Sequence, residues 1–131
     1  MTADGTIFLV DDDSQLRKAM VQTLELDGLP VTSFSRAEQA LAALNEDFDG
    51  VVITDGLQMG AMTNSYTGAQ IALNAINAGC DLLLCPANPW ECINALMDAV
   101  QNGSLAEERI DQSVTCILTM KAQRGIWTPA A

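Results

Sequence analysis

The chain contains no histidine, which removes the side chain most often used as a general acid–base near neutral pH and the commonest metal ligand. Four cysteines, Cys80, Cys85, Cys92 and Cys116, include no CxxC pair. A zinc site is therefore not expected, and buried free thiols in a reducing compartment are. Basic residues are scarce: six Lys and Arg stand against 17 Asp and Glu, for a formal charge of −11. Such a chain repels phosphate backbones, so no nucleic-acid partner is expected, and the same charge favours solubility. No apolar run approaches the roughly 20 residues of a membrane-spanning helix. No basic segment followed by an apolar stretch opens the chain, so the expectation is a cytoplasmic protein without a membrane partner. Asn102-Gly103-Ser104 fits a glycosylation acceptor pattern, which in that compartment is a chance match.

What the chain has in quantity is apolar residues, 49% of 131. That is enough for one domain with a core, expected over residues 1–126, with 127–131 as a loose tail. The run Val51-Val52-Ile53-Thr54 ends in Asp55-Gly56, the pattern by which a buried parallel strand delivers a carboxylate to the carboxyl edge of its sheet. Ligand sites of open α/β sheets lie at that edge.

Other runs fit the same scheme. Thr6 to Val10 reads as a first strand and is followed by Asp11-Asp12-Asp13. Leu16, Met20, Thr23 and Leu24 then recur at helical spacing, with Gly28 as the stop. Pro30 to Phe34 is a second strand. Ser35-Arg36-Ala37-Glu38 has capping-box spacing, with Ala37, Ala40, Leu41 and Leu44 as the buried face of its helix. After a loop from Asp55 to Thr67, Ile71, Ala72, Ala75 and Ile76 mark another helix, ended by Gly79. Asp81 to Cys85 is the fourth strand. Trp90 to Gln101 carries Ile93, Leu96, Met97 and Val100 on one stripe and stops at Gly103. Ser104-Leu105-Ala106-Glu107 reads as a second capping box, opening a last helix that ends near Gly125. Alternating strands and helices imply parallel pairing with helices on both faces. A fifth strand is missing, so at least one sheet edge stays open.

Two family resemblances meet at the central strand. Thr6-Ile-Phe-Leu-Val-Asp-Asp-Asp-Ser-Gln-Leu-Arg, with Phe48-Asp-Gly-Val-Val-Ile-Thr-Asp55, resembles the receiver domain of bacterial response regulators over residues 1–55. That resemblance implies a flavodoxin-like three-layer α/β sandwich, here a four-stranded parallel sheet in the order 2-1-3-4. It also implies Asp55 as phospho-acceptor and Asp11 and Asp12 as magnesium ligands, giving a weak Mg²⁺ site of Asp11, Asp12 and Asp55. The family's hydroxyl after strand 4 and lysine after strand 5 have no counterpart: strand 4 ends in Cys85-Pro86, and both lysines, Lys18 and Lys121, fall inside helices.

From about Val51 to residue 126, a second resemblance takes over. Ile53-Thr-Asp55-Gly-Leu-Gln-Met59-Gly-Ala-Met, Ala75-Ile-Asn-Ala-Gly-Cys-Asp-Leu-Leu-Leu and Glu108-Arg-Ile-Asp-Gln-Ser-Val are similar to the last βα units of family 3 glycoside hydrolases, which are TIM barrels. There the acid matching Asp55 is the catalytic nucleophile. A retaining glycosidase also needs a second acid at a defined distance. The loop that carries it in this family, with its histidine, has no match here, so no hydrolysis is expected. Both families place an aspartate at the carboxyl end of a parallel strand, which implies an engineered chimera joined at that strand. A receiver-like module phosphorylated at Asp55, and a homodimer formed through open sheet edges, are the alternatives. Met59 and Met62 read as packing residues rather than soft ligands, and Trp90 as a staple contact at its helix start.

Overall fold

The computed structural model describes residues 6–44, 48, 50–58, 63–128 and 130. The chain divides into two compact units, Met1–Phe48 and Asp49–Ala131. The division falls just ahead of the Val51–Asp55 run.

In the first unit, β1 (Ile7–Val10) pairs in parallel with β2 (Val31–Phe34), Ile7 opposite Val31 and Val10 opposite Phe34. Helix α1 (Ser14–Leu26) connects them and α2 (Ala37–Ala43) follows. Phe8 meets Phe34 edge to face, with ring centroids 5.2 Å apart, and lies 6.1 Å from Phe48. Such pairs contribute about 1 kcal/mol beyond their buried area. The burial expected for α1 is not found: Leu16 is 50% exposed, and no residue of the helix is buried. In α2, Ala40 is buried but Leu41 is exposed. The periodicity is helical as expected, but a two-stranded sheet is too narrow to cover a helix face.

The second unit holds the expected third and fourth strands as a single parallel bridge, Ile53 to Leu82. Among the described residues, the regular sheet has two strands, β1 and β2. Side chains share in the bonding of the bridge. Thr54 N–H donates to the Leu82 carbonyl at 3.0 Å, as a ladder requires. Its neighbours bond differently: Val52 N–H donates to the Asp81 carboxylate at 2.9 Å, and Leu84 N–H to the Thr54 hydroxyl at 2.9 Å. Two side-chain oxygens thus take bonds that regular strands exchange between backbones.

Three helices complete this unit: α3 (Gly68–Asn77), α4 (Pro89–Gln101) and α5 (Glu107–Gln123). Ile76, Ala99 and Leu105 form the buried centre, with Leu73, Leu83, Leu96, Val100 and Ile110 packed around it. The helix stops fall where the sequence puts them. Gly103, past the end of α4, has φ +80°, a conformation that glycine adopts without steric cost and that closes a helix.

The starts differ. At α2 the N-cap is Arg36, without a side-chain cap, while Ser35 bonds Gln39 instead. At α5 the helix begins after Ala106, so Ser104 lies too early to cap it and its hydroxyl donates to the Ala99 carbonyl. The capping box that does form is Thr67 with Gln70, at α3. Asn88 caps α4 with Pro89 behind it. Trp90 is 71% exposed, so the expected staple contact is not made.

Arg109 ties the second unit together. Its guanidinium donates to the Ile76 carbonyl (3.2 Å), the Cys80 carbonyl (2.9 Å) and the Ser113 hydroxyl (2.6 Å), and pairs with Asp81 at 3.4 Å. The Asp81 side chain is 9% exposed, and its other oxygen holds Val52 N–H. Removing one partner of such a pair leaves the other uncompensated. Arg109→Ala should destabilise the protein by about 3 kcal/mol in urea unfolding, against about 1 kcal/mol for Ser113→Ala.

Candidate functional site

Asp55 ends the bridged segment of the second unit. Thr54 is fixed on both sides, by its N–H on Leu82 and its hydroxyl on Leu84 N–H, and Leu57 N–H donates to the Leu84 carbonyl at 2.9 Å. The two residues between these anchors, Asp55 and Gly56, leave the bridge at its carboxyl end. Asp55 is exposed there, and its carboxylate accepts the N–H of its own neighbour, Gly56, at 2.6 Å. Opposite, Cys85 holds φ +47° in the left-handed region ahead of Pro86, a costly conformation for a residue with a side chain.

The three acids after β1 divide their roles. Asp11 N–H donates to the Phe34 carbonyl at 3.1 Å, which extends the parallel ladder by one bond. The Asp11 carboxylate accepts Asp13 N–H at 2.8 Å, and the Arg17 guanidinium donates to the Asp11 carbonyl. Asp12 is exposed. Asp13 is the N-cap of α1, accepting from Gln15 N–H at 2.9 Å and Leu16 N–H at 3.0 Å. The bond from Leu16, then that from Gln15, holds its carboxyl below the ordinary carboxylate range.

The structure describes Asp11 and Asp12 in the first unit and Asp55 in the second. Among the described residues, no group of three or more Asp, Glu, Cys or His side chains is arranged to hold a metal ion. Mg²⁺ keeps several of its own waters and takes one or two protein carboxylates; Asp12 and Asp55, each in its own unit, are both exposed. Met59 and Met62 lie outside the described residues.

The cysteines depart in part from expectation. Cys92 is buried and its thiol donates to the Gly68 carbonyl, but Cys85 is exposed. Burial pushes the Cys80 and Cys92 thiols up, with Asp81 and Glu91 respectively adding to it; neither is a ready nucleophile. A hollow of about 350 Å³ is lined by Glu108, Asp111, Gln112, Thr115 and Cys116 of α5 and includes no residue of the Asp55 site. No helix among the described residues is long and apolar enough to cross a membrane.

Sequence reading had not singled out the network of Asp81, Arg109 and Ser113. Its signal was present, because all three fall inside the segments that carry the hydrolase resemblance.

Comparison with known proteins gives two sets of relatives. The model of the glycosyl hydrolase family 3 N-terminal domain matches residues 9–120. The chain is 32% identical over 93 residues to a β-N-acetylglucosaminidase/β-glucosidase of Cellulomonas fimi, covering 69% of this chain and 16% of that protein. The solved structure of a glycoside hydrolase family 3 β-N-acetylglucosaminidase from a Paenibacillus strain superposes with a TM-score of 0.58 at 39% identity, over 64% of this chain and 16% of that one. The chain is also 58% identical over 55 residues to the C4-dicarboxylate transport transcriptional regulatory protein DctD of Rhizobium meliloti, covering 42% of this chain and 12% of that regulator. It therefore spans less than a fifth of the length of each of these relatives.

The cap at Asp13 gives a test with a definite sign. A carboxyl held low in the folded state stabilises it above the unfolded pKa, and that contribution is lost as pH falls through the folded value. The stability difference between the parent and Asp13→Ala, measured by urea unfolding, should be present at pH 7. It should shrink as pH falls through the lowered carboxyl value of Asp13.

Proposed function

Since the chain belongs to glycosyl hydrolase family 3 and joins that sequence to a receiver-like segment, we propose that it is an engineered α/β chimera that keeps parental architecture without glycosidase activity. The observation that carries this reading is the state of Asp55, exposed and turned onto the N–H of Gly56. Retaining hydrolysis needs a nucleophile aimed at the anomeric carbon and a second acid about 5 Å away. No histidine is available to assist, and kinship of fold does not confer activity. The finer expectation, one parallel sheet in the order 2-1-3-4, belongs to the same proposal. With a chromogenic N-acetylglucosaminide, the parent should release product no faster than Asp55→Ala. A rate that is present in the parent and lost in the variant would overturn the reading.

The exposure of Asp55 favours a second reading, in which its carboxylate takes a phosphoryl group from a small donor, as the receiver resemblance implies. Intact mass after incubation with acetyl phosphate and Mg²⁺ decides it. The chimera reading expects no added phosphoryl group in either the parent or Asp55→Asn. One group added to the parent alone would establish the second reading.

A further inference from the structure

Asp55 is followed by glycine, and the geometry of that pair carries chemistry of its own. We infer that Asp55–Gly56 is a site of spontaneous backbone isomerisation, at which the Gly56 nitrogen attacks the Asp55 carboxyl carbon to form a cyclic succinimide. The nitrogen already lies 2.6 Å from Oδ1 of that carboxyl. Asp55 is exposed, and among the described residues, its chain neighbours apart, no heavy atom lies within 4 Å of where a Cβ on Gly56 would stand, as is also so at Gly28 and Gly103.

The step balances without a co-reactant. A bond forms between Gly56 N and Asp55 Cγ, the Cγ–O bond of the protonated carboxyl breaks, and the amide proton leaves with that oxygen as water. Water then returns to one of the two ring carbonyls. Addition at Cγ restores the original chain. Addition at the main-chain carbonyl leaves Gly56 attached through the side chain, which is isoaspartate.

Two other Asx–Gly pairs among the described residues serve as internal controls. At Asp27–Gly28 the glycine N–H is engaged by the Glu25 carbonyl at 2.9 Å, with Asp27 as the C-cap of α1. At Asn102–Gly103 the glycine N–H bonds the Val100 carbonyl at 3.2 Å, and the Asn102 side-chain oxygen accepts from Ser104 N–H at 2.9 Å. Both nitrogens donate to a backbone carbonyl at a helix end. At Asp55 the N–H points at the carboxyl itself. The consequence for the site is direct: isomerisation lengthens the main chain by one methylene and moves the carboxylate, so any chemistry carried by Asp55 would decay with age.

The test is peptide mapping of the full chain after prolonged warm incubation at neutral pH. Isoaspartate is located by methyl incorporation with an isoaspartyl methyltransferase and by electron-transfer fragmentation. In the folded protein the modified form should accumulate severalfold faster at Asp55 than at Asp27. In urea Asp55–Gly56 and Asp27–Gly28 should age at similar rates. Asp55→Glu, which cannot close a five-membered ring, should lose the signal at this position while Asp27 is unchanged. Equal ageing of Asp55 and Asp27 in the folded chain, or none at Asp55, would overturn the inference. Neither outcome bears on the glycosidase assay, so the two proposals fail separately.

Discussion

The second unit depends on one guanidinium. Arg109 reaches from α5 to the carbonyl ends of α3 and the following turn, and its partner Asp81 reaches on to the backbone of the segment bearing Asp55. The Ile76 carbonyl, in the last turn of α3, already accepts the Gly79 N–H, and Arg109 adds a second donor there and another at the Cys80 carbonyl beyond the helix. Arg is suited to this because its planar fork offers five donors at fixed angles and keeps its charge. A buried ion pair is not by itself a source of stability, since desolvation offsets attraction. Its value here is positional: the same carboxylate that pairs with Arg109 receives Ser113 and, on its other oxygen, Val52.

That double engagement also shapes the strands. Asp81 takes a backbone donor that a regular partner strand would have taken, and Thr54 does the same with its hydroxyl. What results is one bridge, firmly anchored at each side, rather than a ladder. The arrangement holds the main chain up to Thr54 and again at Leu57, and leaves Asp55 and Gly56 between the anchors.

Much of this was legible in the sequence, and the boundary of legibility has a physical cause. Helix periodicity and the stops at Gly28, Gly79, Gly103 and Gly125 were readable, because a left-handed residue is a local requirement and all four adopt positive φ. The parallel relation of the runs around Ile53 and Leu82 was readable from their alternation with helices. Burial was not. Leu16, Met20, Ile93 and Met97 share faces as their spacing requires, yet all four are exposed. Spacing says which residues face together, and only the rest of the fold says what covers them. Caps failed for a related reason. Ser35 and Ser104 have the right spacing to an acid, but a cap also requires the chain to enter the helix at that residue. Of the acids expected at the site, Asp11 and Asp55 stand at the carboxyl ends of β-type segments, as read. Outside that set, Asp13 caps α1, and the Asp11 carboxylate holds the Asp13 N–H.

The proposed separation of architecture from chemistry has a physical rationale. An aspartate at the carboxyl end of a parallel strand is a feature of local structure: it needs the strand, a neighbouring strand and a turn. The segment from Val51 onward supplies all three, because Leu82 and Leu84 lie in the same family-3-like stretch as Thr54 and Asp55. Nucleophilic attack needs more, namely a second acid and binding groups brought from distant parts of a longer chain. On the proposed reading, the strand pair keeps a local element of the fold without the distant groups that hydrolysis requires. Tight positioning of Thr54 and loose tenure of Asp55 follow from the same fact. Every group that holds Thr54 lies within the second unit, whereas the hydrogen bond Asp55 makes there is to its own neighbour.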